Sequence, residues 1–362
     1  MKAVAVFPDQ KRISIIDHDD SRLASPTEAK LRMLEVGICG TDREIASFQY
    51  GIPPAGQDRL VMGHESLGEV VEVGSGVSRV KKGDLVVTMV RRPCRHTTCV
   101  PCCAGRQDFC STGDYTERGI RGAHGFMTEF VVDDERYMNV VPAGLRDIGV
   151  LVEPLTIAEK AILQLWQIQH RMPWGETGPD RRAVVLGAGP VGLLGAMALV
   201  TAGFQTTVYS RSSGPMAALV ESFGARYLPA ETVAVEEIAE RAGPVDVIYE
   251  ATGVSRLAFE ALKTLGVNGV FIFTGVPGRK GPIQVDTDAL MRDLVLKNQI
   301  VFGTVNAGRD AFEAAIKDLT EFHKRWPGAV KSLITGRYPM EGYQDLLTAA
   351  PTGIKNVIRI AN

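Results

Sequence analysis

In Val61-Met62-Gly63-His64-Glu65-Ser66 an imidazole and a carboxylate stand side by side behind a glycine, at the entry to an apolar run that ends in Gly74-Ser75-Gly76. Upstream lies Val36-Gly37-Ile38-Cys39-Gly40-Thr41-Asp42, and downstream Leu151-Val152-Glu153-Pro154-Leu155. Thiolate, imidazole and carboxylate on three separated segments are the donors of a catalytic zinc site, where three protein ligands leave a fourth position open. Cys39 alone reads as a small buried hydrophobe. Glu153 alone reads as a carboxylate favoured by a helix dipole. The apolar neighbours Leu151, Val152 and Leu155 nevertheless argue for a carboxylate aimed at a partner, because an unpaired buried charge is costly.

A second donor set follows in Cys94-Arg95-His96-Thr97-Thr98-Cys99-Val100-Pro101-Cys102-Cys103, closed by Cys110. Cys99 and Cys102 have the C-x2-C spacing that lets two thiolates chelate one ion from a tight turn. Cys94 and Cys110 complete a closed, tetrahedral four-sulfur site of the structural kind. Cys103 could replace Cys102, His96 could replace one thiolate, and free thiols are the remaining alternative. Disulfides within so short a loop are less expected in a chain that opens on a strand, Met1-Lys2-Ala3-Val4-Ala5-Val6, without a signal-peptide pattern.

The third chemical signal is Gly187-Ala188-Gly189-Pro190-Val191-Gly192, set between the strand Ala183–Leu186 and an apolar helix over Leu193–Ala202. Glycines there permit a tight turn and close approach to a pyrophosphate at the helix N-terminus. The next strand, Gln205–Tyr209, ends in Ser210-Arg211-Ser212-Ser213 rather than in the acidic residue that holds an NAD ribose. A hydroxyl–Arg–hydroxyl run suits a 2′-phosphate, so NADP is the expected cofactor with NAD tolerated. Arg211 alone would read as a solvated turn residue. Thr274-Gly275-Val276 follows another strand, at the strand ends where such sheets bind ligands.

Two kinds of element must carry these groups. Over residues 1–90 the strand-like runs Ala3–Phe7, Ala29–Val36, Glu69–Val73 and Asp84–Val90 are separated by Gly and Pro turns, as in an irregular β-barrel, and Gly125–Val132 returns to strand. Helix-compatible spacing covers Leu151–Trp166. After the Pro/Gly-rich stretch Met172–Asp180, strands alternate with helices through Val245–Tyr249, Gly269–Phe273 and Ile300–Gly303. An amphipathic helix, Phe312–Trp326, and a strand, Asn356–Ile360, close the chain. At 362 residues two domains are expected, 45% apolar with 23% charged residues is the balance of a soluble globular protein, and the strand–helix alternation gives the α/β class. The net charge of −2 gives no reason to expect nucleic acid or a membrane surface as partner. No apolar run approaches the ~20 residues that cross a bilayer, and a cytoplasmic location is expected.

Taken in order, Cys39-Gly40-Thr41-Asp42, Gly63-His64-Glu65, the four-cysteine lobe, Glu153-Pro154 and Gly187–Gly192 resemble the zinc-dependent medium-chain dehydrogenase/reductase superfamily. Asp42-Arg43-Glu44-Ile45, Val90–Cys94, Gly105–Cys110, Asp147-Ile148-Gly149 and Val305-Asn306-Ala307-Gly308 are similar to its glucose (aldose) 1-dehydrogenase branch. The resemblance implies a GroES-like, β-rich catalytic domain over residues 1–156 and 308–362, with a zinc lobe near 91–112. It implies a Rossmann domain with a doubly wound parallel sheet over 157–307, an active site in the cleft between them, and a homotetramer or dimer.

Carried over residue by residue, Cys39 and His64 become firm ligands of a catalytic zinc, completed by Glu65, Glu153 and water. A structural zinc takes Cys94, Cys99, Cys102 and Cys110. Glu117 and Asn306 match sugar contacts, and Thr304, Val305, Asn306 and Lys355 match cofactor contacts. Thr41, with zinc-bound water and Glu65 or Glu153 nearby, would take the proton as the C1 hydroxyl of a cyclic aldose, D-glucose first, is oxidised to the lactone. Glu44 stands where alcohol dehydrogenases of the superfamily often place a relay histidine. Ser212 stands where aldose enzymes often have a second basic residue. The alternatives are a zinc polyol dehydrogenase of the sorbitol or threonine type and, more distantly, a non-catalytic NADPH-binding protein.

Overall fold

Burial along Glu28–Gly37 alternates for its first half and is continuous for its second, which makes this strand the spine of the β-rich part of the molecule. Residues 1–20, 22–174, 181–211, 214–278 and 281–361 are described by the computed structural model. Among them, the chain forms two units: Met1–Thr156, Asn306–His323 and Val330–Asn362 make the first, Ile157–Val305 and Lys324–Ala329 the second.

In the first unit Glu28–Gly37 pairs with Glu65–Val73, Phe130–Asp134 and Lys355–Arg359, all antiparallel. The register sets Glu65 and Val357 opposite the same residue, Gly37. Residues far apart in the chain therefore meet where the spine ends. Beyond it the chain turns through Ile38, whose N–H donates to the Asn356 carbonyl at 2.9 Å, into the short helix Gly40–Ala46. The strands Lys2–Phe7, Arg12–Asp17 and Leu60–Val61 form a separate small sheet.

The expected strand over 125–132 begins only at Phe130. Its first residues spend their backbone groups elsewhere: Gly125 donates to Val61, Phe126 to Gly63 and Met127 to Met62, at 2.8–2.9 Å. Backbone pairing overrides the apolar pattern there. Gly63 lies at φ 88°, and a methyl group on it would stand 2.6 Å from Met127 Cγ and 2.8 Å from Val36 Cγ1. Only glycine serves at the hinge that delivers His64.

The second unit is a parallel sheet in the order Arg226–Pro229, Gln205–Ser210, Arg182–Leu186, Val245–Glu250, Leu265–Phe273, Ile300–Gly303. Numbered by sequence this is 3-2-1-4-5-6, the doubly wound order with its switch point between Arg182–Leu186 and Val245–Glu250. The helix expected from Leu193 starts at Pro190, because proline at a first helical position is already set for helix and lacks only an N–H that would go unused. This helix buries every residue from Gly192 to Leu199, and Gly195 admits the Tyr249 ring. The helix expected over Phe312–Trp326 spans Arg309–Arg325, stopping short of Pro327. No helix among the described residues is long and apolar enough to cross a membrane.

Gly63→Ala is expected to lower the unfolding free energy by about 2 kcal/mol, since it adds both a positive-φ penalty and an overlap. A denaturant midpoint equal to that of the parent would contradict the hinge role.

Candidate metal centres and nucleotide site

Cys39 caps the helix Gly40–Ala46, and its N–H donates to Asp42 Oδ2 at 2.8 Å. His64 follows the Gly63 hinge and Glu65 opens the strand Glu65–Val73. One donor atom from each of Cys39, His64 and Glu65 lies within 4.8 Å of the other two. Zinc bonds of about 2.0–2.3 Å in a tetrahedron need donor separations just under 4 Å, so small side-chain adjustments bring the three groups onto one ion.

Glu153, the fourth ligand expected, is not one of the three. It lies at the start of the helix Val152–Gln169, buried, where burial pushes its carboxyl up to about 7. His64 pulls it back and Glu65 reinforces the rise. Thr41, the proton acceptor expected, sits half-buried on the first turn after Cys39.

Two further residues shape this centre. Asp42 is fully buried, with Oδ1 3.4 Å from His64 Nδ1. A carboxylate behind a ligating histidine fixes its ring and raises its basicity. Lys355 was expected at the cofactor; the structure instead places its ammonium on Glu65, 2.7 and 2.6 Å from the two oxygens, and 3.1 Å from the Ile38 carbonyl. At 2% exposure it is committed there. A methyl group on Gly37 would overlap the Glu65 carboxylate, so the register partner of Glu65 has to be glycine.

Burial by itself would lower the pKa of His64, but the Asp42 charge and Cys39 hold it well above the ordinary imidazole value. Lys355 is likewise raised against its burial by Glu65 and Cys39. Both shifts report a strongly negative local potential. The donor types and this potential together fit a divalent cation.

In the lobe, Cys94, Cys99, Cys102 and Cys110 each place sulfur within 4.8 Å of the other three, and all six cysteines are unbridged. Four sulfurs in that volume match a tetrahedral thiolate site. Hydrogen bonds from Ser111 and the Cys102 backbone pull the Cys99 thiol down to about 5, whereas burial pushes Cys102 up to about 12. Four sulfur donors so placed suit a single cation. Cys103 is exposed, its thiol 3.3 Å from the Thr97 carbonyl, and His96 pairs with Asp114 at 2.5 Å. Neither joins the group.

Glu117 and Asn306, matched above to sugar contacts, meet directly: Asn306 Nδ2 donates to Glu117 Oε1 at 2.9 Å. Asn306 takes φ 60°, a left-handed conformation that asparagine tolerates. Arg91, which the sequence did not single out, donates Nε to the same oxygen at 3.0 Å.

In the second unit, Gly187 has φ 103° and Gly189 caps the helix Pro190–Thr201, whose next residues are Val191 and Gly192. A side chain on Gly192 would run into the Gly187 carbonyl. The turn thus has the bare backbone that a pyrophosphate approaches. Ser210 ends its strand and Arg211 is exposed beyond it; Ser212 lies outside the described residues. Thr274 N–H and Oγ1 both donate to the Glu250 carbonyl, at 3.0 and 2.7 Å. Thr304, Val276 and Val305 follow the strand ends of this sheet, with Val276 and Val305 largely exposed. Glu250 was missed: its buried carboxylate accepts from Thr252 N–H and Oγ1 and from Gly253 N–H, bracing the loop beside Gly187.

With these sites described, the likeness to known proteins is specific. Residues 25–143 match the alcohol dehydrogenase GroES-like domain, and residues 146–360 match the glucose dehydrogenase C-terminus family. The chain is 40% identical to glucose 1-dehydrogenase of Methanocella arvoryzae and 40% identical to that of Thermoproteus tenax, with 99% of each chain covered. Haloferax mediterranei glucose dehydrogenase, solved in complex with NADP, Zn and gluconolactone, superposes with a TM-score of 0.90 at 33% identity, both chains covered fully. The 2R,3R-butanediol dehydrogenase of Bacillus subtilis, 28% identical, gives 0.78 over 100% of this chain and 99% of that one. The chain belongs to the zinc-dependent medium-chain dehydrogenases, in their glucose dehydrogenase family.

Asp42→Asn removes the charge behind His64. It is expected to weaken zinc binding by about 10–100-fold, measured by competition with a chelator of known affinity. Unchanged affinity would show that Asp42 does no more than close the turn at Cys39.

Proposed function

We propose that the protein oxidises the C1 hydroxyl of a cyclic aldose, D-glucose foremost, to the aldonolactone, with NADP as the hydride acceptor. The observation that carries this reading is the convergence of Cys39, His64 and Glu65, whose donor atoms lie within 4.8 Å of one another. The glucose 1-dehydrogenase relatives, and the NADP, Zn and gluconolactone of the Haloferax structure, support the choice of substrate and cofactor. Cys39 and His64 hold the catalytic ion, Glu65 and Glu153 attend it, and Cys94, Cys99, Cys102 and Cys110 hold a second. When bound, the catalytic zinc acts as a Lewis acid that lowers the pKa of the C1 hydroxyl.

The protein's own groups do the rest. Asp42 orients His64, and Lys355 balances the charge of Glu65. Thr41, two residues after Cys39, takes the departing proton. Glu153 is a buried acid able to exchange a proton near neutral pH, because burial sets it at about 7. Glu117 and Asn306 hold sugar hydroxyls. On the nucleotide side, Gly187, Gly189, Pro190, Val191 and Gly192 receive the pyrophosphate, and Ser210, Arg211 and Ser212 receive the 2′-phosphate. Thr274, Gly275, Val276, Thr304 and Val305 line the dinucleotide, with Asn306 alongside. NAD is accepted more weakly, because no carboxylate ends the strand Gln205–Ser210 to hold a free ribose hydroxyl. Assembly as a homotetramer, or else a dimer, and action in the cytoplasm complete the proposal.

Steady-state assays with D-glucose, D-galactose, D-xylose and sorbitol, each with NADP and NAD, test it. Aldose turnover with sorbitol inert, and about two zinc ions per chain, are expected. Turnover of sorbitol alone would move the protein to the polyol branch. Arg211→Ala should raise the KM for NADP by about tenfold and leave that for NAD nearly unchanged. Equal effects on both would remove Arg211 from the 2′-phosphate.

A further inference from the structure

Glu117 ends a chain of contacts that begins in the four-cysteine lobe. Arg91 and Glu117 face each other across the antiparallel strands Arg91–Arg92 and Thr116–Arg118, and both are buried. Glu117 Oε1 accepts from Arg91 Nε at 3.0 Å and from Asn306 Nδ2 at 2.9 Å, and Arg91 Nη2 lies 3.0 Å from the same oxygen. Oε1 is saturated; Oε2 has no hydrogen-bond partner among the described residues. A carboxylate held in this way keeps one oxygen, fixed in direction, to accept from a substrate hydroxyl.

The donors on Oε1 are themselves referenced to the lobe. Arg91 Nη1 donates to the Asp108 carbonyl at 3.2 Å, and the guanidinium stacks 3.7 Å over the Tyr115 ring. Asp108 lies in the turn Gln107–Phe109, which runs directly into Cys110; the Cys110 N–H closes it on the Gln107 carbonyl at 3.1 Å. Arg106 grips the Asp108 carboxylate at 3.1 and 3.0 Å, and its Nη1 lies 3.3 Å from Asp310, on the segment that carries Asn306.

We propose that Arg91 is a positioning residue that transmits the order of the four-cysteine lobe to Glu117, so that Glu117 selects the aldose by one hydroxyl. This rests on Glu117 being a sugar contact. A lysine at position 91 supplies the charge but not the fork that reaches Glu117 and Asp108 together.

The test compares kcat/KM for D-glucose with that for its 2-, 3-, 4- and 6-deoxy analogues, in the parent and in Arg91→Met, Arg91→Lys, Arg106→Gln and Glu117→Gln. Zinc content and thermal midpoint are followed in every variant. The parent should reject one analogue strongly, as a site built to bond a hydroxyl does. That ratio should fall by about 10–100-fold in Arg91→Met, mostly through KM, with partial rescue in Arg91→Lys and zinc retained in both. Arg106→Gln, which frees the Asp108 turn without touching Arg91 or a cysteine, should lower it by a smaller factor.

An Arg91→Met protein, or Arg91→Lys where that one does not fold, that keeps its zinc and the parent ratio overturns the proposal. An unchanged ratio in Arg106→Gln severs the lobe from Glu117 and overturns the transmission. Should Glu117→Gln itself keep the ratio, Glu117 is not the sugar contact, and the failure belongs to that reading. A ratio lost in Glu117→Gln but intact in both Arg91 variants places the failure on Arg91 alone.

Discussion

The ion pair between Lys355 and Glu65 is the constraint on which the Cys39, His64 and Glu65 cluster depends. Asp42, Glu65 and Glu153 are buried at 0%, 1% and 8% exposure around Cys39 and His64. So many buried potential anions in one volume are tolerable only with positive charge among them. Lys355 supplies one permanent cation at the edge of the group, and the donors beside it favour a second, divalent one. The raised pKa values of His64 and Lys355 follow from that imbalance, while burial first of all raises that of Glu153.

The surrounding fold can be understood as what this pocket requires. Three strands meet at Gly37, which lacks a side chain because the Glu65 carboxylate occupies that space. Gly63 bends the chain so that His64 follows it into the same volume. Arg91 does for Glu117 what Lys355 does for Glu65: a buried cation with a fixed geometry holds a buried carboxylate in one orientation. In the second unit Glu250 is held by backbone and hydroxyl donors instead, and braces a loop. Glu65, Glu117 and Glu250 have thus each been given dedicated partners.

Much of the α/β architecture was legible because its signals are local. A glycine fingerprint between a strand and a helix, a C-x2-C turn, and Cys-Gly-Thr-Asp ahead of Gly-His-Glu are each read within a short stretch of chain. The position of Lys355 was not, because its partner Glu65 lies 290 residues away and only the register at Gly37 brings the two together. Asp42 carried a signal that went unused: an acid three residues after the helix cap can close the turn and still turn its other oxygen to a histidine. The run 125–132 has a strand-like composition, yet its first backbone groups are taken by Val61–Gly63, a tertiary fact that the local sequence does not contain.

The most direct measurement follows the hydrogen at C1. D-Glucose carrying deuterium at that carbon would be oxidised with NADP by the zinc-loaded protein, and the reduced cofactor examined by mass spectrometry and NMR. Deuterium at C4 of the nicotinamide, lost together with turnover in a Cys39→Ser variant that still holds the lobe zinc, is the predicted result. Reduced cofactor without deuterium, or label transfer that survives without Cys39, would contradict oxidation at C1 by this metal centre.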